Sequence, residues 1–401
     1  MIPATLAPAE TRGGAVDDII IIGGGIIGSS IAYHLARDGR AGRVCVVERD
    51  PTYEHASTTR SLGGVRQQFS LPENVLMSQY GLGVYRDFAT LMAVDGTPAP
   101  LDFRQQGYLF IAREDGLAVL EANHRLQRSL GAPVEILDRD ALAARFPSLN
   151  LDGVAAGSFG REDGWLDPHA ALQGFRRKAR SLGVAYLDDE VVDIESGRAR
   201  VEGVRLKSGG LRKAGTVVNA TGAWSGEICA MVGMPLPIAP LRRMVYFFEI
   251  REELEPLPLV IDHSGMYFRP EGAGYLAGRA DPDEAPGFNF EVDYDYFEAV
   301  VWPLLAARVP AFEALKPGQA WACHYDTNTL DENLIIGPWT GGLENFHVAC
   351  GLSGHGLQQA PAIGRAMAEL ILDGRFVTLD LSRMTYRRVI DNAPLHETSI
   401  V

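Results

Sequence analysis

The sequence predicts an α/β protein in which a domain wound on a parallel sheet is interleaved with an α+β domain built on an antiparallel sheet. Three observations predict it. A complete strand, glycine turn, helix and strand lie within 17–49. A second strand, glycine-rich loop and helix of the same texture lie within 346–372. Between them, from Pro235 onward, the runs MVYFFEI, LVI, MYFRP and YLAGRA alternate in character between turn glycines. Strands buried on both faces are continuously apolar, whereas strands with one solvated face alternate, and this separates the two kinds of sheet. A chain of 401 residues also exceeds what one core supports. Because the parallel-sheet material lies at both ends, the expected division is discontinuous. Residues 17–98, 166–236 and 334–385 form the first domain, 99–165 and 237–333 the second, with tails at 1–16 and 386–401.

Ile19 to Ile22 form the first apolar run, and Gly23, Gly25 and Gly28 then occupy the G-x-G-x-x-G positions of a strand-to-helix turn. The first glycine permits the tight turn, the second lets backbone approach a pyrophosphate, and the third lets helix and strand pack closely. The pyrophosphate belongs on the N-terminus of the helix from Ile26 to about Ala36, where free N–H groups and the dipole favour an anion. Gly39 stops that helix. The second run, Val44 to Val47, ends in Glu48, about 20 residues beyond Gly28. A carboxylate there accepts hydrogen bonds from ribose hydroxyls and repels a 2′-phosphate. The unit is therefore a Rossmann-type site for FAD or NAD rather than NADP, and the motif does not separate those two.

The next segment, HASTTRSLGGVRQQFSLPENVLMSQYG, has no clean period. Its small hydroxyl residues and Gly63-Gly64 suit a loop against a flat ligand, or equally a solvated surface loop. Pro72 opens a helix with Val75, Leu76, Leu82 and Tyr85 on one face. Asp102 to Arg113 alternates like a half-buried strand, and helical patterns follow at Gly116–Leu130 and Arg139–Phe146. DGWLDP turns into a helix at His169–Leu182, then come strands at Glu190–Ile194 and Gly203–Leu206 and an apolar strand ending in Ala220-Thr221-Gly222. A helix near Tyr294–Val309 precedes the strand Phe346–Ala349, the loop CGLSGHG and a helix from Leu357 to about Leu372.

A net charge of −14 argues against a nucleic-acid or anionic-membrane partner. Four scattered cysteines without a CxxC pair suit a reducing compartment and give no metal site. The most apolar window, Ile19 to Ala36, is interrupted by glycines and carries Tyr33 and His34, so no transmembrane segment is expected. Residues 1–16, rich in Ala, Pro and Thr, lack the apolar core of a secretory signal, and a cytoplasmic protein is expected.

Three stretches together resemble one family: GGGIIG with Glu48, then STTRSLGGVRQQFSLPEN, then DENLIIG continuing to VACGLSGHGLQQAPAIGRAMAELILDGRF. The chain resembles the D-amino acid oxidase superfamily, on the branch holding monomeric sarcosine oxidase, glycine oxidase and dimethylglycine dehydrogenase. It is most similar there to the FAD-dependent oxidoreductase domain-containing proteins related to a mitochondrial complex I assembly factor. The resemblance spans about Asp17 to Arg383 and implies a glutathione reductase-like FAD domain. It implies that Gly23, Gly25, Ile27, Gly28, Glu48 and Arg49 hold the ADP half, and that Ser57, Thr58, Ser61, Gly63 and Gly64 line the isoalloxazine. Val191 falls at the adenine, while Ala220, Thr221, Gly222 and Trp224 supply a second contact. Gly354, His355, Gly356, Leu357 and Gln358 fall at the pyrimidine edge of the flavin, where a helix N-terminus stabilises negative charge.

By the same resemblance Arg66 binds the substrate carboxylate, with Tyr267 and Arg269 beside it. A guanidinium fork grips a carboxylate bidentately and orients it. Two departures stand out: Gln358 replaces a carboxylate-binding lysine, and Leu276 falls where the family has a lysine that activates oxygen. Cys323, in a C-x-Y motif like that of covalent flavin attachment, lies one residue further from Asp331-Glu332 than in that family, so non-covalent FAD is expected. The expected activity is oxidation of a small amino acid or N-substituted amino acid by hydride transfer to flavin, with a protein or quinone-like electron acceptor. The alternatives are a 2-hydroxyacid oxidoreductase and a flavin-containing assembly protein without turnover.

Overall fold

The computed structural model describes residues 16–398. The expected N-terminal tail lies outside the described residues apart from Val16, which opens the first strand. Two large mixed sheets organise the molecule. In the first, Val16–Ile22 is central, parallel to Val44–Glu48 on one side and Leu211–Asn219 on the other. Ala185–Asp188 and Phe346–Cys350 extend it in parallel, so strands from both ends of the chain lie side by side. All four isoleucines of the first run are buried, as a strand covered on both faces requires.

Helix Ile26–Asp38 packs across one face against the long helix Gly356–Asp373. Their approach depends on a missing side chain. A Cβ on Gly364 would lie 2.2 Å from Ser30 Oγ, and that hydroxyl donates to Ala360 O at 2.8 Å. A Cβ on Gly81 would lie 2.1 Å from Gln358 O, so helix Pro72–Arg86 fixes the start of the same long helix. These contacts hold the Gly356 end at a set height above the sheet.

The second sheet runs in the order Lys316–Asn328, Ile238–Glu249, Gly274–Arg279, Met266–Glu271, Leu259–Ile261, Tyr108–Ala112, Ala156–Gly160, Val134–Asp138. Its pairs are antiparallel, as the alternation predicts, except Leu259–Ile261 with Tyr108–Ala112, which run parallel. One face packs on its own core around Phe248, Phe268 and Phe312. The other face carries Tyr108 and Tyr267, which cluster with Trp165 of the separate short strand Gly164–Trp165.

Three expectations change in detail. The strand expected over Asp102–Arg113 is only Tyr108–Ala112, because Asp102 and Gly107 sit at φ +49 and +93 and break the extended run. The helix expected at Tyr294–Val309 is interrupted by a π turn at Phe297–Val301; Pro303 has no N–H to continue the ladder. The segment expected as a tail from 386 is anchored instead. Arg388 pairs with buried Asp331 at 2.7 Å, and the Glu397 carboxylate accepts from Asn74 Nδ2 at 2.6 Å and from Leu71 N at 3.1 Å.

Candidate active site

The glycine turn after the first strand has the shape its sequence demands. Gly23 sits at φ +96 and a Cβ on it would be 2.6 Å from Ala220 O. A Cβ on Gly28 would be 1.9 Å from Gly23 O. Gly25 differs: its Cβ would meet only Thr58 Oγ1, at 3.7 Å, so its outer side is open. The Glu48 carboxylate accepts from Gly24 N at 2.7 Å and Asp50 N at 2.8 Å, which ties the end of the second strand to the turn. Burial raises its pKa, against those two hydrogen bonds.

A cleft of about 250 Å³, open to solvent, runs from this turn to the SGHG loop. At its outer end lie Glu48, Arg49, Val191 and Trp224, with the Arg49 guanidinium 4.0 Å from the Trp224 ring centre. Gly23, Gly25, Ile27, Ala220, Thr221 and Gly222 line its middle. Ser57, Thr58, Ser61, Gly354, Gly356 and Leu357 line its inner end. Gly28 lies beneath the turn against Gly23. Gly63 and Gly64 lie behind the cleft wall, where their missing side chains make room for Leu166 O, Leu259 and Tyr108.

Two helix N-termini open on this cleft, and neither Gly25 nor His355 caps its helix with a side chain. The Tyr53 hydroxyl, which also lines the cleft, is buried without a hydrogen-bond partner. Two helix N-termini, of which the first has its Ile26 N–H donating to Thr58 Oγ1 at 3.3 Å, a glycine with space beside it and an orphaned hydroxyl fit an extended ligand with a pyrophosphate in its middle. FAD has that form.

Beyond the inner end lies a group of buried polar and aromatic side chains. The Arg66 guanidinium centre is 4.2 Å from the Phe69 ring centre, 4.9 Å from Phe110 and 5.9 Å from Tyr108. Arg66 donates to Gln68 O at 2.8 Å, and its NH2 lies 3.4 Å from His355 Nε2. Burial, then the charge of Arg66, pushes His355 down to about 3, so it is neutral at physiological pH. Gln358, at the position of the absent lysine, accepts from Arg66 N at 2.8 Å and so fixes the backbone of the arginine. Tyr267 is buried and Tyr325 half-buried alongside, and desolvation raises both phenols, Tyr325 to about 12.

Arg269, expected as a further carboxylate contact, is engaged elsewhere. Its Nε donates to Leu62 O at 2.7 Å, its NH1 donates to Pro270 O at 2.8 Å, and it pairs with Glu271. Arg279 donates to Ser264 O and Tyr296 OH. Leu276 is buried in register with Arg269, on the site-facing side of the second sheet. Cys323 is buried, and burial pushes its thiol up to about 11.

Several residues of this site escaped the sequence reading. Asp326 lines the cleft and accepts from Gly351 N at 2.8 Å and Leu352 N at 3.1 Å, which shapes the SGHG loop; burial pushes it up to about 6. Asp163, also pushed up to about 6 by burial, holds Gln67 and Gln68 beside Arg66. Tyr53 joins them. The signal for Asp163 was a carboxylate inside an apolar turn, DGWLDP; nothing local marked Asp326.

A glycine turn between a parallel strand and a helix, a second helix N-terminus on the same cleft and a buried arginine beside it are the arrangement of a flavin-dependent oxidoreductase fold. The chain belongs to the DAO family of FAD-dependent oxidoreductases, whose family model matches residues 18–370. It is 43% identical to FAD-dependent oxidoreductase domain-containing protein 1 of Bos taurus, over 92% of this chain and 84% of that protein. More distantly, it is 26% identical to the mitochondrial dimethylglycine dehydrogenase of Homo sapiens, over 91% of this chain and 44% of that one. Among solved structures, it is similar to an L-proline dehydrogenase from P. horikoshii, with a TM-score of 0.86, 28% identity and coverage of 95% of this chain and 100% of that one. Among the described residues no helix is long and apolar enough to cross a membrane, and no cluster of His, Cys, Asp or Glu could hold a metal.

Proposed function

We propose that the protein oxidises the carbon beside the nitrogen of a small amino acid or N-substituted amino acid, giving an imine that hydrolyses. The observation that carries this is the burial of Arg66 beside His355 of the SGHG loop, whose neighbours line the cleft, and against the rings of Phe69, Phe110 and Tyr108. A guanidinium in that setting binds a carboxylate bidentately and sets the orientation of the atoms attached to it. Phe69, Tyr108 and Phe110 keep water from the same space, so a bound amine is desolvated and favoured in its neutral form. Neutral His355 adds no positive charge to repel a partly protonated amine. FAD, when bound, supplies the hydride acceptor at its N5. The glycine turn, Glu48 and Arg49 are assigned to its ADP half, the Ser57–Gly64 loop and the Gly354–Gln358 segment to its flavin half. We assign the discontinuous cofactor and substrate domains as the sequence divides them.

FAD is proposed to be held non-covalently, since attachment needs a thiolate and burial disfavours one at Cys323. Apolar Leu276 supports an acceptor other than oxygen. The test is anaerobic mixing of the flavin-loaded protein with N-methyl amino acids, cyclic amino acids, imino diacids and 2-hydroxy acids, following loss of the flavin absorbance band. Bleaching by amines alone is expected. Bleaching only by hydroxy acids would replace the reading with alcohol oxidation, and no bleaching by any compound would leave an assembly protein that retains FAD.

A further inference from the structure

Arg243 has no part in the reading above. It lies on Ile238–Glu249 directly opposite Cys323, and Val245 and Phe247 share its face. Phe247 pairs with Leu276, Leu276 with Arg269, and the neighbouring Gly278 with Tyr267. Arg243 is therefore on the face turned to the site. Its guanidinium centre is 5.1 Å from the ring centre of Tyr325, which lines the cleft. The Tyr267 hydroxyl occupies the space left by Gly278, where a Cβ would be 2.5 Å away.

This guanidinium is poorly satisfied by the protein. One NH1 donates to Arg242 O at 3.0 Å, the Nε is buried without a hydrogen-bond partner, and among the described residues no carboxylate pairs with it. Its charge reaches Tyr267, Cys323 and Tyr325, opposing the upward shift that burial imposes on each. A guanidinium with a free Nε and no carboxylate beside it is suited to bind an anion.

Arg66 and Arg243 approach the buried tyrosines from different segments, and the charge of each reaches Tyr325. The Arg243 strand and the Tyr108–Ala112 strand, over which Arg66 lies, have three strands between them. Four strand spacings put these two strands about 19 Å apart, with Arg66 against Tyr108 on one side and Arg243 against Tyr325 on the other. We propose that Arg243 is a second anion-binding residue of this pocket and that the substrate is an amine carrying two acidic groups, one held by Arg66 and the other by Arg243. This rests on the amine-oxidation reading and names the substrate class within it: amino or imino dicarboxylates rather than monocarboxylates.

The test uses two unreactive thioethers, methylthioacetate with one carboxylate and thiodiacetate with two, titrated against the flavin-loaded protein by calorimetry and by the change in flavin absorbance. Thiodiacetate should bind about tenfold more tightly or better, the worth of one charge-assisted hydrogen bond. Arg243→Gln should remove that preference while changing methylthioacetate binding less than about threefold, and Arg243→Lys should keep part of it. Retained flavin and an unchanged melting temperature certify that each variant is folded. Equal affinity of the wild type for the two compounds overturns the proposal, as does equal weakening of both by Arg243→Gln. Should dicarboxylates bind yet no amine reduce the flavin, the two-site proposal stands and the oxidation reading fails.

Discussion

Exchanging Gly25 for valine and Gly28 for alanine should separate the cofactor from the fold, because the two glycines are kept for different reasons. Gly25 has φ −59, which any L-residue adopts, and a Cβ there meets nothing but Thr58 Oγ1 at 3.7 Å. The FAD-free Gly25→Val protein should therefore melt within a degree or two of FAD-free wild type, roughly the scatter of a neutral surface change. Its added methyl groups fill the space where a pyrophosphate must approach backbone, so FAD binding is lost. With it goes the stabilisation that FAD confers on wild type, about 2.7 kcal/mol at a hundredfold excess over its dissociation constant. In Gly28→Ala the new Cβ lies 1.9 Å from Gly23 O, where real contacts do not fall below 3.0 Å, and both partners are held backbone. Helix and strand must separate, at a cost of about 3 kcal/mol or more with or without FAD. Thermal unfolding of each protein with and without FAD, together with the ratio of flavin to protein absorbance, reads out both effects. Full FAD occupancy in Gly25→Val would refute the assignment of this turn to the pyrophosphate, and a wild-type melting temperature for FAD-free Gly28→Ala would refute the packing argument.

Arg66→Lys should raise KM and lower kcat for a carboxylate-bearing amine, about a hundredfold in kcat/KM, with the flavin spectrum little changed, since lysine lacks the planar fork; loss of FAD instead would move Arg66 to the cofactor site. Reduced flavin should be reoxidised slowly by air-saturated buffer and quickly by a dye acceptor in stopped flow, and Leu276→Lys should speed the oxygen reaction by supplying the charge that stabilises a superoxide-like species; oxygen reoxidation as fast as turnover refutes this. Flavin should leave the protein on acid precipitation, and flavin that stays bound until Cys323→Ala releases it would prove a covalent bond. Burial holds His324 and His347 at about 4 and His34 and His355 at about 3, below the unfolded value near 6.5, so their contribution to stability is full above that value and is lost as pH falls toward 4. Asp163 and Asp326, raised to about 6, contribute in the opposite sense, losing their part as pH rises through 6; the four histidines dominate, so the urea midpoint should drop between pH 6.5 and 4, and His347→Leu should flatten that drop.

Much of the first sheet and its glycine turn was legible in the sequence because it is local. The run of isoleucines, three glycines at fixed spacing, a helix and Glu48 lie within one short segment, and each obeys a steric or hydrogen-bonding rule that does not depend on distant chain. Period likewise separated the two sheets, since burial of one face or two is written directly into which residues are apolar. The reading faltered where backbone conformation overrode period, at Asp102 and Gly107, and where the end of the chain found a partner in Asp331 that no local pattern announced.

The inner end of the cleft belongs to the tertiary structure. Arg66 was recognised by resemblance, but its surroundings come from Phe69, Phe110, Asp163 and His355, drawn from four separate segments. Arg269 and Arg243 are indistinguishable in sequence as charged residues on apolar strands. Only the strand order and the neighbours reveal that Glu271 and Leu62 engage the first, while the second faces Tyr325 with its Nε unpartnered. A motif can state which chemistry a segment performs by itself, because its geometry is carried by adjacent residues. The charge left unbalanced beside the cleft is a sum over strands that meet only once the sheets have folded together, and no single segment carries it.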